Sequence, residues 1–235
     1  HQFARARPAP PLAPEPMWNF PAAAVYPRVL LRVASEEGPA LWLDPVGQDL
    51  PPGRLPRELQ GGQALTLLPA GPVSELLPWE PLEFHGQRNV MQLRLQADGT
   101  LQGGMRILHA GEQGHAFKQQ LRTASRDQRR AWADRYLRAV FPGAQLGELE
   151  ALALDEPAAP LVLDMAVRLE GYARKDGRRR LLPVPLARMG LGRPFESAAP
   201  RRQPVVLAQE LLDRDQSVVE LTPALRWTVL PEPVQ

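Results

Sequence analysis

No cysteine occurs in the 235 residues, which excludes disulfides, thiolate zinc sites and a Cys nucleophile within this chain. It also leaves the redox compartment unreadable. Lysine is almost as scarce, with only Lys118 and Lys175, so arginine supplies nearly all the positive charge. An excess of one sign is missing too: 28 basic side chains face 26 acidic ones, for a formal net charge of +2. Nucleic acid is therefore not expected as a partner. No run of about 18 apolar residues is present, so no membrane span is expected. The opening HQFARARPAPPLAPEP has neither the apolar core nor the cleavage motif of a signal peptide. Its start at His1 and stop at Gln235 read as the ends of a fragment.

What the chain does have is turn chemistry. It holds 27 prolines and 18 glycines, with hydrophobic residues at 44% and charged residues at 23%. That is ordinary globular usage with more punctuation than a helical protein tolerates, and it favours short strands and many turns. The length suits one large domain or two modest ones.

Six prolines between residues 8 and 21 remove backbone donors, so that stretch is expected to be extended loop, with order resuming near Val25. Arg28 to Val33 and Ala40 to Asp44 read as strands joined by the hairpin loop Ser35-Glu36-Glu37-Gly38-Pro39. Leu55 to Gln60 reads as a short polar turn, Ala64 to Leu68 as a buried strand, and residues 71–89 as a linker. Beyond it, Met91, Leu93 and Leu95 alternate with Gln92, Arg94 and Gln96, and Asp98-Gly99 is a hairpin turn. The returning strand contains Gly103-Gly104, a signal for a bulge or a close backbone approach.

A helical insertion is expected at about 115–141. Phe117 and Leu121 share a face in its first helix, and Ser125-x-x-Gln128 is a capping box for a second. Trp132, Tyr136 and Val140 then recur every four residues up to Pro142-Gly143. Leu161 to Leu169 alternates as a long half-buried strand, turned back at Lys175-Asp176-Gly177. Pro204 to Leu207, Ser217 to Leu221 and Leu225 to Leu230 complete an antiparallel set of strands.

Motifs of catalysis are sparse. None of the five serines sits in a Gly-x-Ser-x-Gly elbow, and Gly190-Leu191-Gly192 lacks the rest of a phosphate loop. His109, Glu112 and His115 lie close enough in sequence to bind a metal, but the glycines around them point to a surface loop, and no metal is expected. Arg126, Arg129, Arg130, Arg135 and Arg138, with Arg178 to Arg180, are diluted by acidic neighbours and read as a solvated face. Trp132 and Tyr136 read as core contacts.

The stretches YPRVLLRV and ALWLDPVGQDLPPGRLPRELQGGQALTLLP, residues 26–33 and 40–69, resemble the last part of the transglutaminase-like, papain-related core of large bacterial extracytoplasmic proteins. LRLQADGTLQGGMRILHAG, LRTASRDQRRAWADRYLRAVFPGAQL and the tail from Arg201 look like the β-rich domain of unknown function that follows that core. The likeness runs from about residue 26 to the end, and its Trp42-Leu43-Asp44-Pro45 element is the most specific part.

In that family a Cys on an upstream helix is activated by a His on the first of these strands, and an Asp on the second orients the imidazole. Asp44 stands at the Asp position, Arg28 at the His position and Pro27 at the neighbouring Asn position. A guanidinium stays protonated and cannot take a thiol proton.

The resemblance thus implies a degenerate core over residues 1–70, followed by a β-sandwich-like domain over 90–235, in an α+β, mainly β chain. It implies a non-catalytic scaffold or interaction module from an exported pseudoenzyme, periplasmic or extracellular, without cofactors. Its partner would be the missing N-terminal part of the same protein or another protein chain. Two alternatives stay open: part of an active Cys-dependent transglutaminase or protease whose nucleophile and base lie elsewhere, and a polysaccharide- or peptide-binding sandwich using its tryptophans. In the degenerate reading, the hairpin brings Arg28 and Asp44 to one open end, where they can form an ion pair.

Overall fold

In the computed structural model, which describes residues 2–7, 26–35, 38–46, 50–81, 84–156, 158–187 and 212–230, the alternating segments assemble into two five-stranded sheets and one small hairpin. The architecture is α+β and mainly β.

The first sheet is built from β1 (Gln2–Arg7), β2 (Arg28–Val33), β3 (Leu41–Leu43), β4 (Gln63–Leu68) and β5 (Gly71–Leu76) in the order β3-β2-β1-β4-β5. Every neighbouring pair is antiparallel. A strand that the sequence reading did not anticipate thus precedes the proline run, and it is the middle one of the sheet. Ala4 pairs with Leu30 and Thr66, and Ala6 with Arg28 and Ala64, which puts small side chains on the inward face. Residues 8–25, including the proline run, lie outside the described residues.

The even-numbered residues of β1 to β4 face a small core of Ala4, Ala6, Leu30, Trp42 and Ala64, closed by Leu55, Leu59 and Leu77. Leu55 to Gln60 is thus not a polar surface turn. It forms a 3-10 turn at Arg57–Leu59 that drives Leu59 into the core, and Gln60 is buried because its amide is used: Nε2 donates to Leu55 O at 3.0 Å, and Oε1 accepts from Glu80 N at 3.2 Å. The stretch 71–89 is not a free linker either. β5 occupies its start and pairs along the whole of β4. Pro72 is tolerated there because β5 is an edge strand.

The second sheet has the order β12-β6-β7-β9-β8. It comprises β6 (Gly86–Leu95), β7 (Leu101–Ala110), β8 (Gln145–Leu152), β9 (Leu161–Leu169) and β12 (Leu212–Leu221). Two helices, α1 (Gly111–Thr123) and α2 (Arg126–Val140), cover the face carrying Met91, Leu93, Met105, Ile107, Leu163 and Met165. The capping box forms as the sequence anticipates, with Ser125 and Gln128 each donating a backbone N–H to the other's side chain. α2 is phased one residue from the expected face: Ala133 and Leu137 are fully buried, while Trp132, Tyr136 and Val140 pack beside them.

Asp98-Gly99 makes the β6–β7 turn, and Gly99 adopts φ 91°. Gly103 is a close approach and not a bulge, since the β6–β7 register runs unbroken. A Cβ there would sit 2.1 Å from the Gln92 carbonyl oxygen. The bulge falls in β8, where the pairing with β9 shifts between Leu146 and Leu149. β10 (Arg174–Asp176) and β11 (Arg179–Leu181) form the hairpin at Lys175-Asp176-Gly177.

β12 departs from the antiparallel expectation and runs parallel to β6 along its full length. Parallel neighbours need a long connection, and β6 and β12 are separated by residues 96–211. Leu225 to Leu230 forms no strand. Pro204 to Leu207 and Gly190 to Gly192 lie outside the described residues.

Candidate functional site

The β2–β3 register, Leu31 with Leu43 and Arg32 with Trp42, puts the even residues of both strands on the inward face. Arg28 and Asp44 are therefore diagonal neighbours on one side of the hairpin. Arg28 Nε and Nη2 donate to Asp44 Oδ2 at 3.0 and 2.7 Å. The second carboxylate oxygen, Oδ1, accepts from the Val46 backbone N–H at 3.0 Å. The Asp44 side chain is 2% exposed and that of Arg28 31%. The hydrogen bond to Asp44 holds the Arg28 guanidinium above its ordinary pKa against the cost of desolvation, with Glu58 and Glu112 adding to the attraction.

Glu112, whose charge acts on Arg28, also links the two sheets. The Arg57 N–H donates to Glu112 Oε2 in the first turn of α1 at 3.2 Å. Glu80 meets Arg54 at 3.6 Å and His85 Nε2 at 3.3 Å. Burial pushes the Glu80 carboxyl up, with Arg54 pulling the other way. Gly111, at φ 70°, lets the chain turn into α1 beside His85; a Cβ there would lie 2.7 Å from its Nδ1.

The histidines are not in a surface loop. His109 belongs to β7 and His115 to α1, and both are buried. His109 packs on Phe117, which continues to Trp132 and Tyr136. Among the described residues no three His, Asp or Glu side chains cluster as a metal site, and no described helix is long and apolar enough to cross a membrane. The tryptophans do not converge: Trp42 lies in the first core, Trp79 under Arg57, Trp132 against α1, and Trp227 is exposed. Trp18 lies outside the described residues.

A buried polar chain at the β12 side escaped the sequence reading. Gln87 Nε2 donates to Asn89 Oδ1 and to the Tyr136 hydroxyl, both at 2.6 Å, and Asn89 Nδ2 donates to Asp215. The Gln87 N–H reaches Asp213 at 3.3 Å. This chain fixes the parallel β12 against β6. The signal was present, because the parity of Met91, Leu93 and Leu95 carried backwards puts Asn89 and Gln87 inside. Lys118, also buried, donates to the carbonyls of Glu156 and Ala159, so it clasps the loop before β9; desolvation lowers its pKa.

The opposite face of the second sheet is open and polar, with a trough of about 780 Å³ floored by Gly103, Gly147 and Ala166. Two cross-strand ion pairs lie on this face: Arg94 with Glu220 at 2.8 Å, and Arg106 with Asp164 through two bonds of 2.7 and 2.6 Å. The bond from Arg106 holds the Asp164 carboxyl below its usual range despite partial burial. Its contribution is thus present above the unfolded Asp pKa and fades as pH falls through the lower folded value. We expect carboxyl NMR titration to place Asp164 below an ordinary Asp and Arg106→Gln to return it upward. Because the pair is largely solvated, the change in stability should be small.

Comparison with known proteins returns no match to any family model, curated protein or solved structure.

Proposed function

We propose that this chain is a non-catalytic scaffold or interaction module, in which the positions of a former His–Asp pair have become a structural ion pair. The observation that supports it is the commitment of Asp44. One oxygen takes two guanidinium bonds, the other takes the Val46 N–H, and the side chain is nearly closed to solvent. A carboxylate used in this way has no imidazole to orient, and Arg28 cannot act as a base. The transglutaminase-like resemblance, an exported setting outside the bacterial cytoplasm and a sandwich-like relation for the β-rich region belong to the same reading and rest on sequence likeness. Partners are then protein surfaces, with no cofactor.

The test is catalytic. Purified chain is offered a glutamine-donor peptide with a labelled amine, and separately a panel of unstructured peptides. No incorporation or cleavage above the level of Asp44→Ala is expected. Turnover that disappears in Asp44→Ala would overturn the proposal and favour the enzyme alternative.

A further inference from the structure

Two groups of arginines stand out in the sequence, one on α2 and one at the β10–β11 hairpin, and the fold uses them differently. On α2, Arg129 donates to the carbonyls of Leu121 and Arg122, Arg130 to those of Leu146 and Gly147, and Arg138 pairs with Asp134 at 2.9 Å. On the hairpin, Arg180 is tied down in the same way: Nε donates to Ala97 O at 2.8 Å and Nη1 to Ala173 O. The others are not. Among the described residues Arg174, Lys175, Arg178 and Arg179 are exposed and make no ion pair or side-chain hydrogen bond, although Asp176 stands opposite Arg179 in the register. Residues 174–180 hold five basic side chains and one acidic one, a net +4 in a chain whose total is +2. The rest of the chain is therefore net negative, and the hairpin carries the concentrated positive charge.

Apolar surface emerges at the same end of the second sheet. Arg180 fastens the hairpin to the β6–β7 turn through Ala97. Thr222, just past β12, donates its N–H to Leu95 O at the foot of that turn, at 3.1 Å. Leu225 still packs on the core, and beyond it Trp227 is 46% exposed, with Val229 and Leu230 more so. Arg226, beside Trp227, is exposed as well. On the hairpin itself Leu181 stands opposite Arg174 and is 56% exposed. Arginine and lysine interleaved with tryptophan and leucine are what a surface lying at the boundary of lipid headgroups and acyl chains requires, since the cations meet anionic headgroups and the apolar side chains leave water.

We propose that this end of the second sheet docks on an anionic lipid surface, with the hairpin cations on the headgroups and Trp227 and Leu181 in the headgroup layer. A soluble polyanion would satisfy the cations and leave the tryptophan and leucine in water. A neutral apolar partner would do the reverse. Each Lys or Arg held near an anionic bilayer strengthens attachment about fivefold. Asp176 set against Arg174, Lys175, Arg178 and Arg179 leaves three net positive charges, so anionic bilayers should be preferred to neutral ones on the order of a hundredfold. Attachment of this kind is peripheral and reversible, and salt weakens it.

The inference stands on this end of the second sheet and not on the non-catalytic reading, which the turnover assays test separately. The experiment is co-sedimentation of the full chain with vesicles of phosphatidylcholine containing about one-third phosphatidylserine, and with phosphatidylcholine alone. Binding to the anionic vesicles is expected, with release as salt rises from about 0.05 to about 0.5 M. Arg178→Gln combined with Arg179→Gln should weaken it about 25-fold. Arg126→Gln combined with Arg135→Gln takes the same charge from α2 and should leave it nearly unchanged. Trp227→Ser should weaken it several-fold, a loss that attachment by charge alone would not show. All of these side chains are exposed, and an unchanged circular dichroism spectrum establishes folding. Equal binding to the two kinds of vesicle, equal losses in the hairpin and α2 variants, or no loss in Trp227→Ser overturns the inference. So does binding to polyglutamate or duplex DNA without uptake by anionic vesicles, which would assign the hairpin to a soluble polyanion.

Discussion

Leu137→Ala is expected to destabilise the helix-covered sheet by about 2–5 kcal/mol, the range for emptying a fully buried leucine site. Leu137 has no exposed surface and lies in the middle of the α2 contact with the sheet, next to the equally buried Ala133. The surroundings are poorly placed to collapse into the space. Strands of the sheet are held in register on one side, and on the other α2 is fixed by the capping box at Ser125 and by Arg130, which donates to the carbonyls of Leu146 and Gly147. Trp132→Ala removes more atoms but from an only partly buried position, where the ring leans on Phe117 and stacks on Tyr136. Denaturant unfolding should therefore rank Leu137→Ala as the more damaging of the two. The reverse order would mean that the aromatic stripe, and not the Ala133–Leu137 line, faces the sheet.

Arg28→Ala is expected to cost about 2–4 kcal/mol, because it leaves the carboxylate of Asp44 closed in without its guanidinium. The figure sits below that for a fully buried pair, since Arg28 is itself partly solvated. The asymmetry of such pairs supplies a control. Arg28→Met combined with Asp44→Leu removes both charges and keeps apolar volume, and it should be far less damaging than Arg28→Ala alone. Equal losses in the two variants would mean that Asp44 matters for the β3 turn, through Val46, and not as the partner of Arg28.

Much of the second sheet was legible in the sequence, because its strands obey a single rule of one face packed and one face wet. β6, β7 and β9 follow it over nine or ten residues, and the Asp98-Gly99 turn and the Ser125 cap add local chemistry that needs no tertiary context. β8 was missed because Gly147 and the bulge beside it break the alternation. β12 was read short, from Ser217, because Asp213 and Asp215 on its inward parity look like surface residues until Asn89 and Gln87 are set opposite them.

The first sheet was harder for a different reason. In β1 the inward residues are Ala4 and Ala6, whose weak hydrophobic signal is overshadowed by the neighbouring Arg5 and Arg7 and by the prolines that follow. Its place in the sheet depends on β2 and β4, many residues away. The Arg28–Asp44 contact was within reach, since a hairpin from Arg28 to Asp44 has only two ways to face and the apolar Leu30 and Trp42 choose between them. The influence of Glu58 and Glu112 on Arg28 was not, because that depends on how a 3-10 turn and the start of α1 meet.

The account turns on Asp44 being the structural partner of Arg28, and a double-mutant cycle on these two residues tests that most directly. Stabilities of the parent chain, Arg28→Ala, Asp44→Ala and the double variant, measured by denaturant unfolding at neutral pH, give the coupling between the side chains. A structural ion pair with these contacts should show about 1–3 kcal/mol of favourable coupling. Additive losses, with no coupling, would contradict the account and leave Asp44 as a carboxylate whose purpose lies elsewhere.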